Sequence, residues 1–557
     1  MGRAAGRAAA GLLAALILAP VISLALSAAQ GTGELWPNLA AYVLPGAIRD
    51  TVLLLLGVGL LVVAIGTGAA WLVAAFEFPG RRWLDAALLL PLAVPTYIVA
   101  YAYLDLLHPL GPVQGGLRAL FGLTRPRDLP FPELRSLPGC ILLLGLVLYP
   151  YVYLPTRALF LMQAGTLLEA ARTLGAGPGR VFARIALPLA RPAIALGTGL
   201  ALMEALNDVG AAEFLGVRTL TVQVYATWVN RSDLPGAAQI ALVMLVGVLG
   251  LLALERAGRG ARGYAASARR DSPMSRRPLR GWWAGAALLL GLTPVALGFL
   301  LPAGYLLLAA VRRVRLAGWP GTLAAEVGHT LLYAGIATLA IGGVGLLVAA
   351  SPGLLGRRSG RGLIRLAGLG YALPGTILAI GLLAPLAALD AGLSGLGAPQ
   401  TLIGLGTGGA LVIAYAIRFL TVAVGASEAG LSRIPASLPD AARMLGHGRL
   451  STLARIQVPL AWPAIVSGCL LAFVECVKEL PATLLLRPLN VETLSTHLYG
   501  EAARGTYEDG APAALLIVAV GLVPVALLLH PRSGPRGVDG SADPHHATRS
   551  NHERGTA

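Results

Sequence analysis

Charge is scarce in this chain of 557 residues. Only 13% are Asp, Glu, Lys or Arg, against 56% hydrophobic, and the mean hydropathy is +0.73. Soluble domains carry roughly 25% charge, so the composition excludes a water-soluble globular protein and indicates an integral membrane one. Lysine is rarer still: Lys478 is the one lysine, and Glu479 follows it. A phosphate-cradling P-loop needs Gly-Lys-Ser/Thr, so the chain holds no Walker A site. GxSxG, HExxH and kinase-type sets are also missing, and the expectation is a chain that is not an enzyme by itself. Three cysteines, Cys140, Cys469 and Cys476, form neither a CxxC nor a metal spacing and are expected to pack as small apolar side chains. His545, His546 and His552 fall in a Gly/Ser/Asp-rich tail, where a solvated end is the simpler reading. No metal site is assigned.

Long apolar runs take the place of charge. Arg3 and Arg7 precede a run from Gly11 to Ala28, read as a first spanning helix in preference to a cleaved signal peptide. Further spans read as about 51–75, 86–107, 137–161, 189–211 and 237–254. A basic, Gly/Ala/Ser/Arg-rich stretch from Glu255 to Arg280 then reads as a loosely ordered linker. Six more spans follow, at about 282–311, 330–350, 363–389, 402–424, 460–483 and 512–530, before a polar tail. The net charge of +16 could suggest nucleic acid, but the basic residues sit between apolar spans and read as positive-inside topology signals. No nucleic-acid partner is expected; the lipid bilayer is.

One polar, arginine-rich segment interrupts the apolar pattern, and it occurs twice. Glu169 to Pro188 reads EAARTLGAGPGRVFARIALP, and Asp440 to Pro459, displaced by 271 residues, reads DAARMLGHGRLSTLARIQVP. Ala170/Ala441, Ala171/Ala442, Gly175/Gly446, Arg184/Arg455, Ile185/Ile456 and Pro188/Pro459 coincide. Duplication of this length means two homologous halves fused in one chain. Locally, Thr166 and Glu169 have capping-box spacing, and Gly175 offers a left-handed helix stop. A second short helix, with Phe182 and Ile185 on an apolar face beside Arg180 and Arg184, is expected to end at Pro188. The product is a helix-turn-helix elbow on a membrane surface. Six crossings separate the two copies, so both elbows lie on one face. Arg81, Arg82, Arg357, Arg358, Arg361, Arg365 and the linker share it, which marks it as cytoplasmic, together with both termini. Arg312, Arg313 and Arg315 fall on the opposite face and break the trend.

EAA, three residues, Gly, nine residues and Ile-x-Leu-Pro resembles the cytoplasmic coupling loop of ABC importer permeases. The second copy departs by Asp440 for Glu and Val458 for Leu. The resemblance implies an all-α integral membrane protein of two parallel six-helix repeats, about 12 transmembrane helices, in the type I ABC importer permease fold. It covers two transmembrane domains, 47–255 and 326–530. Around them lie a first helix with its outer loop (1–46), the linker (256–281), a seventh helix with its outer loop (282–325) and the tail (531–557). It also implies that each elbow docks on a separate ATPase subunit, which forms a dimer and uses ATP that this chain does not bind.

Weaker echoes extend the repeat. Asp50-Thr51-Val52-Leu53-Leu54 resembles His329-Thr330-Leu331-Leu332, and Pro95-Thr96 echoes Pro374-Gly375-Thr376. Charge inside the spans is costly and concentrates just after each elbow. Span five carries Glu204, Asn207, Asp208 and Glu213; span eleven carries Glu475, Lys478 and Glu479. Glu204/Glu475, Asn207/Lys478 and Asp208/Glu479 are equivalent at the same displacement of 271 and are expected to flank the axis between the halves. Two readings stand: a polar gate in the path, or a satisfied charge network locking two helices.

For cargo, Pro91–Gln114, Ala372–Leu383 and Lys478–Tyr499 resemble the fused ferric-iron permeases. Such permeases receive Fe(III) from an extracytoplasmic iron-binding protein. Fe(III) prefers oxygen ligands, so the four carboxylates, with Tyr97, Tyr101 and Tyr103 at the entrance, are the candidate contacts. Thiamine, polyamine, sulfate and phosphonate permeases share the scaffold, and an ion-coupled secondary transporter is the remaining alternative. If Glu204 and Glu475 form the gate, replacing both by Ala abolishes uptake into whole cells; intact uptake would sink that assignment.

Overall fold

The computed structural model describes residues 3–33, 35–162, 171, 173–259, 276–395 and 403–529. Among them, eleven helices are long and apolar enough to cross a membrane; a bent pair, Arg81–Ala93 with Thr96–Leu106, makes a twelfth if counted as one span. The architecture is all-α apart from a two-residue parallel bridge, Phe76–Glu77 with Arg277–Pro278. That bridge corrects the reading of the linker as loose throughout. Its first residues continue the helix Leu234–Arg259, and its last ones are pinned to the first half by the Leu279 N–H donating to the Glu77 carbonyl at 2.8 Å.

Two expected spans are interrupted, for one reason. The third bends by 91° between Ala93 and Thr96. Pro95 has no N–H to continue a helix and drives Val94 into extended backbone (φ −109°, ψ 120°). The ninth does not run from Leu363. An amphipathic helix, Arg357–Ala372, stops at extended Leu373 before Pro374, and the crossing helix starts afresh as Gly375–Gly395. Freed backbone groups at such breaks are tolerated at membrane depth only where protein or a water-lined cavity meets them.

The halves repeat in their bonding as well as in sequence. Thr51 Oγ1 donates to the Ala47 carbonyl at 2.7 Å and accepts the Leu220 N–H at 2.9 Å. Thr330, displaced by 279, donates to the Glu326 carbonyl at 2.8 Å and accepts the Leu494 N–H at 2.9 Å. Each threonine thus satisfies an otherwise orphaned donor at the start of the helix after its half's cavity segment.

The two additional helices bridge the halves. The N-terminal helix Arg3–Ala29 packs on Gly375–Gly395 of the second half, where Gly381 admits the Pro20 carbonyl, and on Leu234–Arg259 of the first, where Gln239 donates to the Ala28 carbonyl at 3.1 Å. The seventh spanning helix, Trp282–Ala317, packs on the first half and, through its later turns, on Tyr507–Leu529 of the second. Its Gly291 faces Leu84, its Gly298 faces the Leu146 carbonyl, and its Leu297 carbonyl accepts the Tyr103 hydroxyl at 2.6 Å. Of the out-of-pattern arginines at the end of that helix, Arg313 pairs with Asp509 of the last spanning helix. Thr51→Val or Thr330→Val keeps side-chain volume while leaving a buried N–H unpaired. Each is expected to lower stability by about 1–3 kcal/mol, read as an earlier thermal unfolding midpoint in detergent.

Candidate functional site

The elbows come first, because the path's helices grow out of them. Glu169, Ala170 and Thr166 lie outside the described residues. From Ala171 onward the two copies share one geometry. Gly175 (φ +81°) and Gly446 (φ +85°) are left-handed, a conformation that disfavours any side chain. Beyond each, Ala176 N–H donates to the Ala171 carbonyl at 3.0 Å, and His447 N–H to the Ala442 carbonyl at 3.0 Å. This is the helix-terminating bond that a left-handed residue permits. In the second copy the first helix is Ser437–Met444, with Ala442 buried, Ala441 exposed and Asp440 in a solvent-exposed pair with Arg443 at 3.1 Å. Such a pair contributes little. Leu174 (88% exposed), Met444 (88%) and Leu445 (81%) project apolar surface from the elbow tips into solvent.

Pro188 does not end the second elbow helix. Pro178–Val181 passes through a π turn, Phe182–Ala186, straight into Leu187–Asn207; Arg449–Thr452 passes through Leu453–Gln457 into Val458–Val477. In the wider turn Leu187 N–H reaches back five residues to Phe182, and Val458 N–H to Leu453. This regrouping lets Pro188 and Pro459, which lack a donor, sit one residue later without stopping the helix. Ile185 and Ile456 are half-buried, while Arg184 and Arg455 face solvent. Phe182 packs against Trp71, ring centroids 5.1 Å apart. Arg449 Nη1 donates to the Leu354 carbonyl at 2.9 Å, fastening the second elbow beside the Arg357–Arg358 turn.

Both long helices break at equivalent points, Asn207 and Val477, so Asp208, Glu213, Lys478 and Glu479 lie beyond the spanning helices rather than inside them. Each break is followed by a short helix, Gly210–Phe214 or Pro481–Leu486. A carboxylate caps each one. Asp208 Oδ1 accepts the Ala211 N–H at 2.8 Å; Glu479 accepts the Ala482 and Thr483 N–H groups at 2.9 and 3.0 Å. All six polar residues singled out in the sequence, Glu204, Asn207, Asp208, Glu475, Lys478 and Glu479, line one cavity of about 100 Å³ between the halves.

Three hydrogen bonds stitch that cavity across the halves, two of them at equivalent positions. Asn207 Oδ1 accepts the Gly375 N–H at 2.7 Å, and the Tyr97 hydroxyl donates to the Lys478 carbonyl at 3.4 Å. They are near mirror images, each joining the start of a post-proline helix to the broken helix end of the other half. In the third, Tyr371 donates to Glu204 at 3.1 Å. Around them, Lys478 pairs with Glu475 at 2.8 Å, and Thr96 donates to Asp208.

Arg418 is the residue that sequence reading missed. Its guanidinium, 9% exposed, pairs with Glu479 at 2.9 Å inside the same cavity. It sits mid-span in a helix whose neighbours gave no polar pattern, so only its being an arginine within an apolar run pointed to it. Three other candidates lie elsewhere. Tyr97 lines the cavity, but Tyr101 bonds the Tyr507 carbonyl and Tyr103 the seventh helix, so neither faces the path. Glu213 accepts the Tyr499 hydroxyl at 2.6 Å; burial pushes its carboxyl up, and that bond draws it partly back.

Comparison with known proteins matches this geometry to a family. The family model "Binding-protein-dependent transport system inner membrane component" matches twice, at residues 62–258 and 341–530. The Fe(3+)-transport system permease protein FbpB 2 of Haemophilus influenzae is 23% identical over 493 residues, 86% of this chain and 89% of that one. The molybdenum transport system permease protein ModB of Escherichia coli K12 is 34% identical over 185 residues, 32% of this chain and 76% of that one. A Salmonella choleraesuis protein provisionally named 2-aminoethylphosphonate transport system permease protein PhnU is 31% identical over 185 residues, 33% of this chain. The match spans only 64% of that relative's length. The double match, the two equivalent elbows and the helices that rise from them agree: the chain belongs to the binding-protein-dependent transport system inner membrane component family, as an ABC importer permease of two fused halves.

Proposed function

We propose that this multi-pass inner-membrane protein forms the path by which an ABC importer takes up ferric iron. An extracytoplasmic iron-binding protein delivers the ion, and a separate ATPase dimer drives transport by docking on the two elbows. In this reading Glu169, Ala170, Ala171, Gly175, Arg184, Ile185 and Pro188, with Asp440, Ala441, Ala442, Gly446, Arg455, Ile456 and Pro459, form the docking surfaces. Leu174 and Leu445 are the apolar knobs that enter the ATPase. The elbow face and both termini are cytoplasmic, and ATP is bound by the partner alone.

The observation that carries the cargo assignment is the charge of the cavity. It is lined by four carboxylates, Glu204, Asp208, Glu475 and Glu479, against two cations, Arg418 and Lys478. An excess of two carboxylates over cations in a small chamber favours a cation and opposes an oxyanion such as molybdate or a phosphonate. Coverage supports the same reading: the ferric relative aligns over both halves, whereas the molybdate and phosphonate relatives align over about a third of the chain. The second reading keeps the permease and changes the cargo, and the strength of those partial matches is what favours it.

The test is reconstitution of the permease with its ATPase and binding protein in proteoliposomes. Iron-loaded binding protein is expected to stimulate ATP hydrolysis and iron uptake, and molybdate or 2-aminoethylphosphonate to do neither. Stimulation by one of those anions instead would overturn the ferric assignment while leaving the permease intact. Gly446→Val forces a branched side chain into left-handed backbone at a position with open space around it. It is expected to cost about 1–2 kcal/mol locally and to reduce ATPase co-purification at least severalfold. Full retention of the ATPase would remove that elbow from the docking surface.

A further inference from the structure

The two halves treat their helix-capping carboxylates differently, and the difference is reciprocal. In the first half, Thr96 is the first residue of the post-proline helix, and its hydroxyl bonds Asp208. Val147 faces the cavity from the neighbouring span. In the second half the residue after the proline is Gly375, displaced from Thr96 by 279 as Thr330 is from Thr51. The cavity-facing residue of the neighbouring span is Arg418, displaced from Val147 by 271 as the elbows are.

These substitutions depend on each other. A Cβ on Gly375 would lie 2.5 Å from Arg418 Nη1 and 2.7 Å from Glu479 Oε1. The space that Thr96 fills in one half is the space the guanidinium fills in the other. The result is a polarised chamber. Both second-half carboxylates are neutralised by protein cations, Glu479 by Arg418 and Glu475 by Lys478. The first-half pair is met by neutral donors: Tyr371 for Glu204, and Thr96 with the Ala211 N–H for Asp208.

We propose that Arg418, admitted by Gly375, is a specificity-determining residue that sets the charge the path presents to its cargo. It holds Glu479 in an internal pair, as Lys478 holds Glu475, and leaves the excess negative charge with Glu204 and Asp208 of the first half. This rests on the cation-cargo reading above. Without Arg418 the excess would be three carboxylates, and a multivalent cation would be held too tightly to leave. With a second arginine, at position 147, the excess would be one, and the cation would be held weakly.

The experiment exchanges the two pairs. The mirror variant Gly375→Thr/Arg418→Val gives the second half the first half's hydroxyl cap. The reverse variant Thr96→Gly/Val147→Arg gives the first half the second half's ion pair. The complete permease–ATPase complex is purified in detergent, and binding of Fe(III), supplied as its citrate complex, is measured at equilibrium. The mirror variant is expected to bind iron about tenfold more tightly than wild type and the reverse variant about tenfold more weakly. That is the lower end of the expectation, since one unit charge roughly 10 Å from a trivalent ion is worth about tenfold even in a water-like dielectric. In proteoliposomes both are expected to import iron more slowly, and Arg418→Lys, which keeps the charge, to stay nearer the wild-type rate.

Shifts in opposite directions support the assignment, because a merely structural role moves both variants the same way or neither. Equal affinities, or loss in both, overturn it and make Arg418 a strut. If one pair exchange fails to fold, the other with Arg418→Lys decides the matter. An unchanged affinity in the surviving exchange, or a lysine variant no better than Arg418→Val, is the negative result. A wild-type complex that imports an anion but no iron fails at the cargo reading, a result distinguishable from failure of the charge assignment.

Discussion

A helix that stops inside a bilayer strands backbone donors and acceptors where no lipid can meet them. This protein stops two long helices at equivalent places, Asn207 and Val477, and the rest of the cavity follows from how those ends are satisfied. Asp208 and Glu479 accept the free N–H groups of the short helices that come next. Asn207 turns outward to the other half's Gly375 N–H. A carboxylate is needed because a charged acceptor bonds more strongly than a neutral one in a poorly solvated setting. The requirement for helix caps therefore places negative charge at the point where the halves meet.

Once the charge is there, it must be balanced or used. A buried ion pair often fails to repay its desolvation, so Arg418–Glu479 is weak evidence for added stability. Its value lies in selecting one arrangement. Gly375 gives up a side chain, and the conformational restriction that goes with one, to make room for a guanidinium paired with this carboxylate. The first half uses a short hydroxyl for the same task and keeps its net negative charge. Duplication supplied two equal caps; divergence at two positions per half made the chamber asymmetric.

The elbows connect to this chamber through continuous helix. From Leu187 to Asn207 there is no loop to absorb motion, and at 1.5 Å per residue the rod is roughly 30 Å long. A displacement at the elbow is carried to the broken end, which meets the other half through the Gly375–Asn207, Tyr97–Lys478 and Tyr371–Glu204 hydrogen bonds. A π turn lies at the base of each rod. It explains why proline occurs there without ending the helix.

Much of this was legible in the chain itself, because the signals are local and repeated. Scarce charge and long apolar runs specify spanning helices. A 271-residue displacement, applied to the elbows, also pairs Glu204 with Glu475 and Asp208 with Glu479. The left-handed stops at Gly175 and Gly446 follow from glycine's lack of a Cβ, which any sequence displays. What only the tertiary structure decided concerns contacts between distant elements. Pro188 reads as a helix terminator until a π turn regroups the bonds beneath it. The N-terminal helix precedes the first half but lies against both, meeting Gly381 of the second and Gln239 of the first. Tyr97, Tyr101 and Tyr103 look alike in sequence, yet a bend at Pro95 and the seventh helix direct only Tyr97 to the cavity. Arg418 has a role only once Glu479, 61 residues later, and the side-chain-free Gly375 are brought beside it. Periodicity and spacing act along the chain, whereas sterics and charge pairing act across space, and at this site the second set prevails.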